Sequence, residues 1–301
     1  NTVYSDELQL NVGIDHYNEK VTTDTAYAFT ERDVTGVFGH SLYKVSNFTF
    51  EGAVRYDDVE HINTEVTYNA GVGIDLDDIS RVVLNYGTGF KAPSFNDLYY
   101  PEDAYGVGQP GLKAEYSSTK ELLIESKLGA ADFVLSLFQS DINDLIVWQP
   151  NTAKNDQPGF EYQWIPMNLS DVEISGIELS LNYEAFGGFH RVNTSYIDAT
   201  DKATQKQLIR RAKEQFNYQF SKQIDNVNLS IDYQYHGKRY DSSDVQLDSY
   251  KLVNIATSYA LTSQLEIQAK IKNLFNENYQ TANRYNSQDR AFYLGISYSQ
   301  F

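Results

Sequence analysis

The sequence predicts an all-β protein, an antiparallel transmembrane β-barrel, and three observations support this fold class. Apolar and polar residues alternate over segments of about ten residues, which is the length that a tilted membrane strand needs. Short and long connections between these segments alternate along the chain. The chain has 24 Tyr and 16 Phe against 2 Trp and 1 Met, and a composition rich in Tyr favours strands over helices.

The charge balance and the absence of cysteine exclude several classes of function. The formal net charge is −17 at pH 7, which argues against a nucleic-acid partner, because phosphate binding needs clustered Lys and Arg. The chain has no Cys, so disulfides, thiolate metal sites and Cys nucleophiles are excluded. No apolar run reaches the roughly 18 residues of a transmembrane helix. The segment 1–6 contains no export signal, so an envelope protein is expected to be mature or truncated at this point.

Alternating segments account for most of the chain. In segment 227–237, every second residue from Val227 to Tyr235 is apolar and the residues between them are polar, and segment 66–76 repeats the pattern. Further strands are predicted over 7–18, 33–44, 48–59, 80–90, 118–128, 131–146, 172–185, 189–199, 210–222, 250–262, 265–274 and 290–301. The total is about fourteen strands, and no helix is predicted.

The connections indicate which kind of β protein this is. Short turns are predicted at 45–47, 77–78, 129–130, 187–188, 223–225 and 262–263. Longer polar links follow them, among them 17–32, 94–117, 147–171 and 240–250. Outer-membrane barrels have short periplasmic turns and long extracellular loops in this order. A soluble all-β binding domain is the alternative fold, and it gives no reason for such asymmetry.

Aromatic side chains are predicted to form girdles on the outward face of the barrel. They lie on apolar strand faces near predicted strand ends, where amphipathic rings meet the membrane interface. The candidates are Tyr56, Tyr86, Tyr183, Tyr196, Phe216, Tyr218, Phe220, Tyr233, Tyr235, Tyr259 and Phe292. The alternative is that Tyr packs well in any sheet.

No catalytic, metal-binding or cofactor-binding motif is recognised. Ser, His and Asp residues cannot be ordered into a triad, and the five His residues are scattered along the chain. Acidic clusters at 57–60 and 102–103 and at Asp241, Asp244 and Asp248 lie in predicted extracellular links. Because none of them matches a spaced calcium-ligand motif, they are predicted to be solvated loop charges. The chain is therefore predicted not to be an enzyme and to need no cofactor.

Three stretches resemble TonB-dependent outer-membrane transporters. The first, 86–101, reads YGTGFKAPSFNDLYYP and continues at 109–115 as QPGLKAE, where the family more usually shows NPNLKPE. The second is LIRRAK at 208–213 with YQYHGKRY at 233–240, and it is most similar to the cobalamin branch. The third is KNLFNENY at 272–279. The resemblance extends over the whole chain.

The resemblance implies that residues 1–301 are the C-terminal portion of a TonB-dependent receptor β-barrel in the bacterial outer membrane. The family's full barrel has about 22 strands around a plugged lumen, so the plug and the remaining strands are expected to lie outside this chain. The implied function is TonB-dependent uptake of cobalamin or a similar bulky nutrient. The implied partners are the TonB energy-coupling protein, reached through the missing N-terminal region, and outer-membrane lipid and lipopolysaccharide. A ferric-siderophore receptor and a passive porin are the alternatives.

Arg210, Arg211 and Tyr240 are the candidate cargo-binding residues. Arginine carries rigid donors that suit amide oxygens and phosphate, and in the family that this chain resembles an Arg of this motif contacts the cargo. Alternation counted back from Phe216 predicts that Arg211 faces the lumen and Arg210 faces outward. The alternative is a pair of interfacial cations that anchor the barrel to lipopolysaccharide phosphates.

Overall fold

A computed structural model describes residues 2–169, 171–242 and 245–299, and within them sixteen strands join one antiparallel sheet. The elements in chain order are β1 (Thr2–Tyr4), β2 (Leu8–Lys20), β3 (Glu31–Val45), β4 (Phe48–Val59), β5 (Asn63–Asp75), β6 (Ser80–Lys91), α1 (Phe95–Tyr99), β7 (Glu115–Leu128), β8 (Ala131–Asn143), β9 (Ile146–Pro150), β10 (Trp164–Asn168), β11 (Val172–Ala185), β12 (Gly188–Asp201), β13 (Lys206–Gln207), β14 (Glu214–Ile224), β15 (Val227–His236), β16 (Arg239–Ser242), β17 (Val245–Leu247), β18 (Tyr250–Ala260), β19 (Leu265–Lys272) and β20 (Ala291–Tyr298).

The strand order of the sheet follows the chain, as in an up-and-down barrel. It runs from β1 to β8, then through β11, β12, β14, β15, β18 and β19 to β20, and β13 pairs with β12. Two hairpins, β9 with β10 and β16 with β17, form small separate sheets. Within the described residues the large sheet has two free edges, at β1 and β20, and such edges need partner strands in a barrel.

One face of the sheet is apolar and open to the surroundings. Cross-strand pairing places Phe220 beside Ile231, and Ile231 beside Ile255, on this face. On β20, Leu294 is 78% exposed and Ile296 is 72% exposed. Exposed apolar bands of this extent mark a surface that contacts lipid, so this is the outward face that the sequence predicts.

The opposite face is polar and belongs to the lumen of the barrel. There Arg55 donates to Asp15 at 2.8 Å, and it also pairs with Asp57 at 2.7 Å. His40 lies 3.0 Å from Glu51 on the same face. Charged side chains paired across neighbouring strands are stable on a face that is shielded from lipid.

The lengths of the connections alternate as predicted, with one exception. The short end of the sheet carries the turns 46–47, 76–79, 129–130, 186–187, 225–226 and 261–264. The long end carries the links 21–30, 92–114, 144–171, 202–213, 237–249 and 273–290. The exception is 60–62, a three-residue connection at the long end. Gly129 and Gly187 have φ of 64° and 69° in two of the short turns, where the absence of a Cβ avoids strain.

Several details of the secondary structure differ from the prediction. The strand predicted over 210–222 begins at Glu214, because Arg210 has a φ of 60°, which is incompatible with an extended strand. A short helix, α1, was not predicted. The last predicted strand extends to residue 301, but β20 ends at Tyr298, and residues 300–301 lie outside the described residues. No helix among the described residues is long and apolar enough to span a membrane.

Candidate functional site

The predicted site residues meet at the long end of the sheet. Arg210 and Arg211 lie in the link 202–213, and Tyr240 lies in β16. The backbone N–H of Arg210 donates to the carbonyl oxygen of Tyr240 at 2.5 Å. We call the surface formed by the link 202–213, the β16–β17 hairpin and the link 273–290 the vestibule.

Arg210 holds the vestibule together. Its Nε donates to Asp241 Oδ1 at 2.9 Å, and the Asp241 side chain is only 11% exposed. The other oxygen, Oδ2, accepts from the backbone N–H of Asn283 at 3.1 Å. One Arg–Asp pair therefore connects all three segments of the vestibule. Only the Nε of Arg210 is engaged in this pair, and the side chain as a whole is 64% exposed.

Arg211 is the available cation of the pair. Its carbonyl oxygen accepts from Gln207 Nε2 at 2.6 Å, which fixes the backbone. Its side chain is exposed and has no hydrogen-bond or ion-pair partner among the described residues. The prediction that Arg211 faces the lumen and Arg210 faces outward rested on an extended strand through both residues. That reasoning was wrong, because both residues precede β14, with Arg210 in a turn and Arg211 in irregular backbone.

A column of stacked rings, which the sequence analysis did not identify, supports the vestibule from the luminal side. The rings of His236 and Tyr250 stack at 4.9 Å, and Tyr250 contacts Tyr279 at 4.5 Å. The guanidinium of Arg239 lies 5.4 Å from the centre of the Tyr250 ring, a favourable cation–π arrangement. Arg239 is 7% exposed, its Nη2 donates to the Gln280 carbonyl oxygen, and its Nη1 has no partner among the described residues.

The other long links form a second surface, which we call the loop cap and define as the described residues of 21–30, 92–114 and 144–171. The Tyr27 hydroxyl donates to Asn96 Oδ1 at 2.7 Å, which joins the first two links. Trp148 Nε1 donates to Asp97 Oδ1 at 2.8 Å, which joins the second and third. Asp97 is 8% exposed. The loop cap is therefore fixed by specific polar contacts.

Glu102 and Asp103 are neighbouring acidic residues of the loop cap, and the pKa values of both side chains are lowered. The Lys154 ammonium, which pairs with Glu102, is the main cause of the lowered pKa of that carboxyl group. For Asp103, the main cause is the backbone N–H of Tyr105, which donates to Oδ1 at 2.7 Å. The predicted acidic cluster at 102–103 therefore lies in a link. Glu102 is paired with Lys154, and Asp103 is hydrogen-bonded to the backbone N–H of Tyr105.

This pairing predicts how the loop cap responds to acid. Carboxyl groups with lowered pKa values contribute stability that is complete above their ordinary values of roughly 4 and is lost as pH falls through the lowered values. Both Trp residues of the chain, Trp148 and Trp164, lie in the cap, so their fluorescence reports its order. We expect constant fluorescence from pH 7 to about 5 and a transition below about 4.

The control for this experiment is Asp103→Asn, which keeps an oxygen acceptor for the Tyr105 N–H but cannot titrate in this range. Its transition should be smaller than that of the parent. A main transition above pH 5 in the parent would contradict the assignment, because a lowered pKa cannot produce it.

The remaining acidic and His residues are dispersed. Asp57 and Asp58 belong to β4, so the prediction that they lie in a link was wrong: their strand continues to Val59 and β5 follows after a short turn. Asp248 lies 3.9 Å from Lys238, and Asp244 lies outside the described residues. Among the described residues, no group of three His, Asp or Glu side chains is arranged to hold a metal ion.

The fold, the alternating links and the vestibule define a class of protein. The chain belongs to the TonB dependent receptor-like, beta-barrel family, whose model matches residues 2–274. This confirms the family that the three sequence stretches indicate, and it assigns the chain to the outer membrane.

Particular relatives lie within the cobalamin branch. The chain is 38% identical over 297 residues to the vitamin B12 transporter BtuB of Photobacterium profundum, covering 98% of this chain and 48% of that protein. It is 34% identical over 292 residues to the vitamin B12 transporter BtuB of Vibrio vulnificus, covering 96% and 45%. The chain thus spans about half the length of these relatives. These relatives are named as transporters and not as enzymes.

A solved structure supports the fold independently of close sequence similarity. The siderophore receptor PirA from Acinetobacter baumannii superposes with a TM-score of 0.78 at 17% identity, covering 99% of this chain and 53% of that one. At this level of identity the similarity establishes the shared barrel architecture.

Proposed function

We propose that this chain forms part of the barrel of a receptor that takes up cobalamin in a TonB-dependent manner. The observation that carries the proposal is the similarity, along nearly the whole chain, to two vitamin B12 transporters at 38% and 34% identity. The vestibule supplies the chemistry that such a cargo needs. A corrin ring is flat and is surrounded by carboxamides, so it suits a surface of aromatic rings and hydrogen-bond donors.

The two adjacent arginines of the vestibule have different roles in this proposal: Arg211 binds the cargo and Arg210 positions its neighbours. Arg211 is exposed and unpaired among the described residues, so its donors are free for carboxamide or phosphate oxygens of the cargo. Tyr240 is half-buried beside it and offers a ring and a hydroxyl. Arg210 is a positioning residue, because its pair with Asp241 fixes the backbone that carries Arg211 and Tyr240.

The proposal includes partners beyond the cargo. TonB would engage a region outside this chain, as in the family as a whole. Lipid would contact the apolar face that includes Ile231 and Leu294. Lipopolysaccharide would lie above that band, beside outward-facing charges such as Lys202, which pairs with Asp141.

The role of Arg211 is tested by measuring equilibrium binding of cyanocobalamin to cells that make the full-length protein. Arg211→Ala should weaken binding by about 1 kcal/mol or somewhat more, because it removes a charged donor. Arg191→Ala is a matched control, since Arg191 lies near the short end of β12 and donates to Asn182 at 2.9 Å.

Three outcomes of this measurement have different meanings. Loss of affinity in Arg211→Ala but not in Arg191→Ala supports the assignment of Arg211. Equal affinity in the parent, Arg211→Ala and Arg191→Ala would show that Arg211 does not contact the cargo. It would not contradict the proposed cobalamin receptor. If the parent protein binds no cobalamin but takes up a ferric chelate, the cargo is a ferric siderophore and not cobalamin.

A further inference from the structure

The link 273–290 contains a tight turn on the vestibule surface. The backbone N–H of Tyr285 donates to the carbonyl oxygen of Ala282 at 3.2 Å, which closes a β-turn over residues 282–285. Arg284, the third residue of the turn, has a φ of 66°, whereas the φ of Asn283 is not positive. This combination defines a type II turn, whose third position favours Gly or Asn. Arginine is therefore an unfavourable residue for the backbone at this position.

The strain at Arg284 directs attention to its side chain. Non-glycine residues in the left-handed region are concentrated at binding sites, where the surrounding structure holds them in place. The Arg284 side chain is exposed, and it makes no hydrogen bond or ion pair with any described residue. Tyr285, the next residue, is 71% exposed, so the turn projects from the surface. The guanidinium of Arg284 thus contributes nothing to the fold of this turn.

Arginines without a partner are rare in this chain. Of the nine arginines in the sequence, seven have a side-chain hydrogen bond or salt bridge, namely Arg32, Arg55, Arg81, Arg191, Arg210, Arg239 and Arg290. The other two are Arg211 and Arg284, and within residues 2–169, 171–242 and 245–299 neither side chain has such a contact. Both are exposed, and both belong to the vestibule.

The Asp241 carboxylate brings these two arginines close together. Its Oδ1 accepts from Arg210 Nε at 2.9 Å, and its Oδ2 accepts from the backbone N–H of Asn283 at 3.1 Å. Arg211 and Arg284 are the residues that directly follow the two donors. Because an arginine side chain is long, guanidinium groups on backbones held this closely can reach one common group. Asp241 is already paired with Arg210, so it does not neutralise either of them.

Two guanidinium groups without a carboxylate define the ligand that fits between them. Guanidinium groups bind phosphate oxygens through paired, charge-assisted hydrogen bonds. The two positive charges repel each other, and an anion between them replaces this repulsion by attraction. Both arginines lie in long links, beyond the ends of β14, β19 and β20, and not on the luminal wall of the sheet. The vestibule surface therefore offers a phosphate-type anion two contacts.

We propose that Arg211 and Arg284 form a two-arginine clamp that binds the phosphodiester of the cargo. The inference rests on the proposed cobalamin function and deepens it. Cobalamin has one phosphodiester, in its nucleotide tail, and its peripheral side chains are neutral carboxamides. The clamp therefore holds the nucleotide tail beside the turn 282–285. Arg284 is a cargo contact that the motif at 208–213 does not reveal.

Arg284→Gly tests the clamp without straining the fold, because glycine suits a φ of 66° better than arginine does. The measurement is binding of cyanocobalamin and of dicyanocobinamide, which lacks the nucleotide tail and its phosphate. Purified full-length protein in detergent free of lipopolysaccharide is used, so that no other phosphate competes. Arg284→Gly should weaken cyanocobalamin binding roughly five- to tenfold and leave cobinamide binding unchanged. Arg284→Lys should recover part of the affinity, because it keeps the charge but not the paired donors.

Asp225→Gly is the matched control, because Asp225 is a charged residue with a φ of 49° in a short turn at the opposite end of the sheet. It should bind both corrinoids as the parent does. Unchanged cyanocobalamin binding in Arg284→Gly, or an equal loss of both corrinoids, would overturn the clamp while the receptor function stands. A parent that binds neither corrinoid would instead overturn the proposed function on which the clamp rests.

Discussion

Replacing Ile231 by arginine is expected to lower the free energy of unfolding by about 2–4 kcal/mol, because it places a charge at the middle of the lipid-facing band. Ile231 lies halfway along β15 and pairs with Phe220 and Ile255 on the outward face. These neighbours are apolar, so an arginine here has no carboxylate in reach on the adjacent strands. Urea unfolding of the full-length protein in lipid vesicles measures the change.

The control is Ser230→Arg, one residue earlier on the same strand. Ser230 is exposed on the luminal face and pairs with Ser221 and Ala256. Its arginine would extend into the polar lumen towards Asp232, so a change of less than about 1 kcal/mol is expected. If the two variants lost equal stability, the assignment of the outward face would be wrong.

Replacing Asp97 by alanine is expected to disorder the loop cap. Asp97 Oδ2 accepts from the backbone N–H of Ser94 at 2.9 Å and from its hydroxyl at 2.7 Å, while Oδ1 accepts from the Trp148 indole. Each buried donor that loses its acceptor costs about 1–3 kcal/mol. The lost bond from the Ser94 N–H is also one half of the capping box at α1. The local contacts of the cap are few, so opening it should need less energy than unfolding the barrel.

Hydrogen exchange and Trp fluorescence measure this effect. Backbone amides of 94–109 and 146–168 should exchange faster in Asp97→Ala, and the emission of Trp148 should shift towards that of a solvated indole. Asp156→Ala is the control, because Asp156 is exposed in the same cap and has no side-chain partner among the described residues. Unchanged exchange in Asp97→Ala would show that the cap is held by other contacts.

The long strands could be predicted because lipid on one side and a polar lumen on the other impose strict alternation. The predicted segment 227–237 matches β15, and all but the last residue of 66–76 falls within β5. The short elements in the links do not lie between lipid and lumen, so their sequences need not alternate. For this reason the hairpins β9–β10 and β16–β17 were not predicted. Helix α1 did carry a local signal, since Ser94 and Asp97 have the spacing of a capping box.

The site could be predicted only in part. The motif at 208–213 and Tyr240 were correctly expected at one end of the barrel. The pairing of Arg210 with Asp241, which Arg211 does not share, joins residues 31 positions apart and leaves no trace in local spacing. The contact of Arg239 with Gln280 and the ring column from His236 to Tyr279 also join residues that are far apart in the sequence. They form only when the links fold over the sheet.

Uptake of labelled cyanocobalamin by cells whose only corrinoid receptor is the full-length protein tests the central claim most directly. We expect saturable uptake that stops when TonB is absent, while binding at the cell surface persists. Uptake that continues without TonB would indicate a passive pore. Absence of both binding and uptake of cobalamin, in cells that make the folded protein in the outer membrane, would contradict the proposed cobalamin receptor.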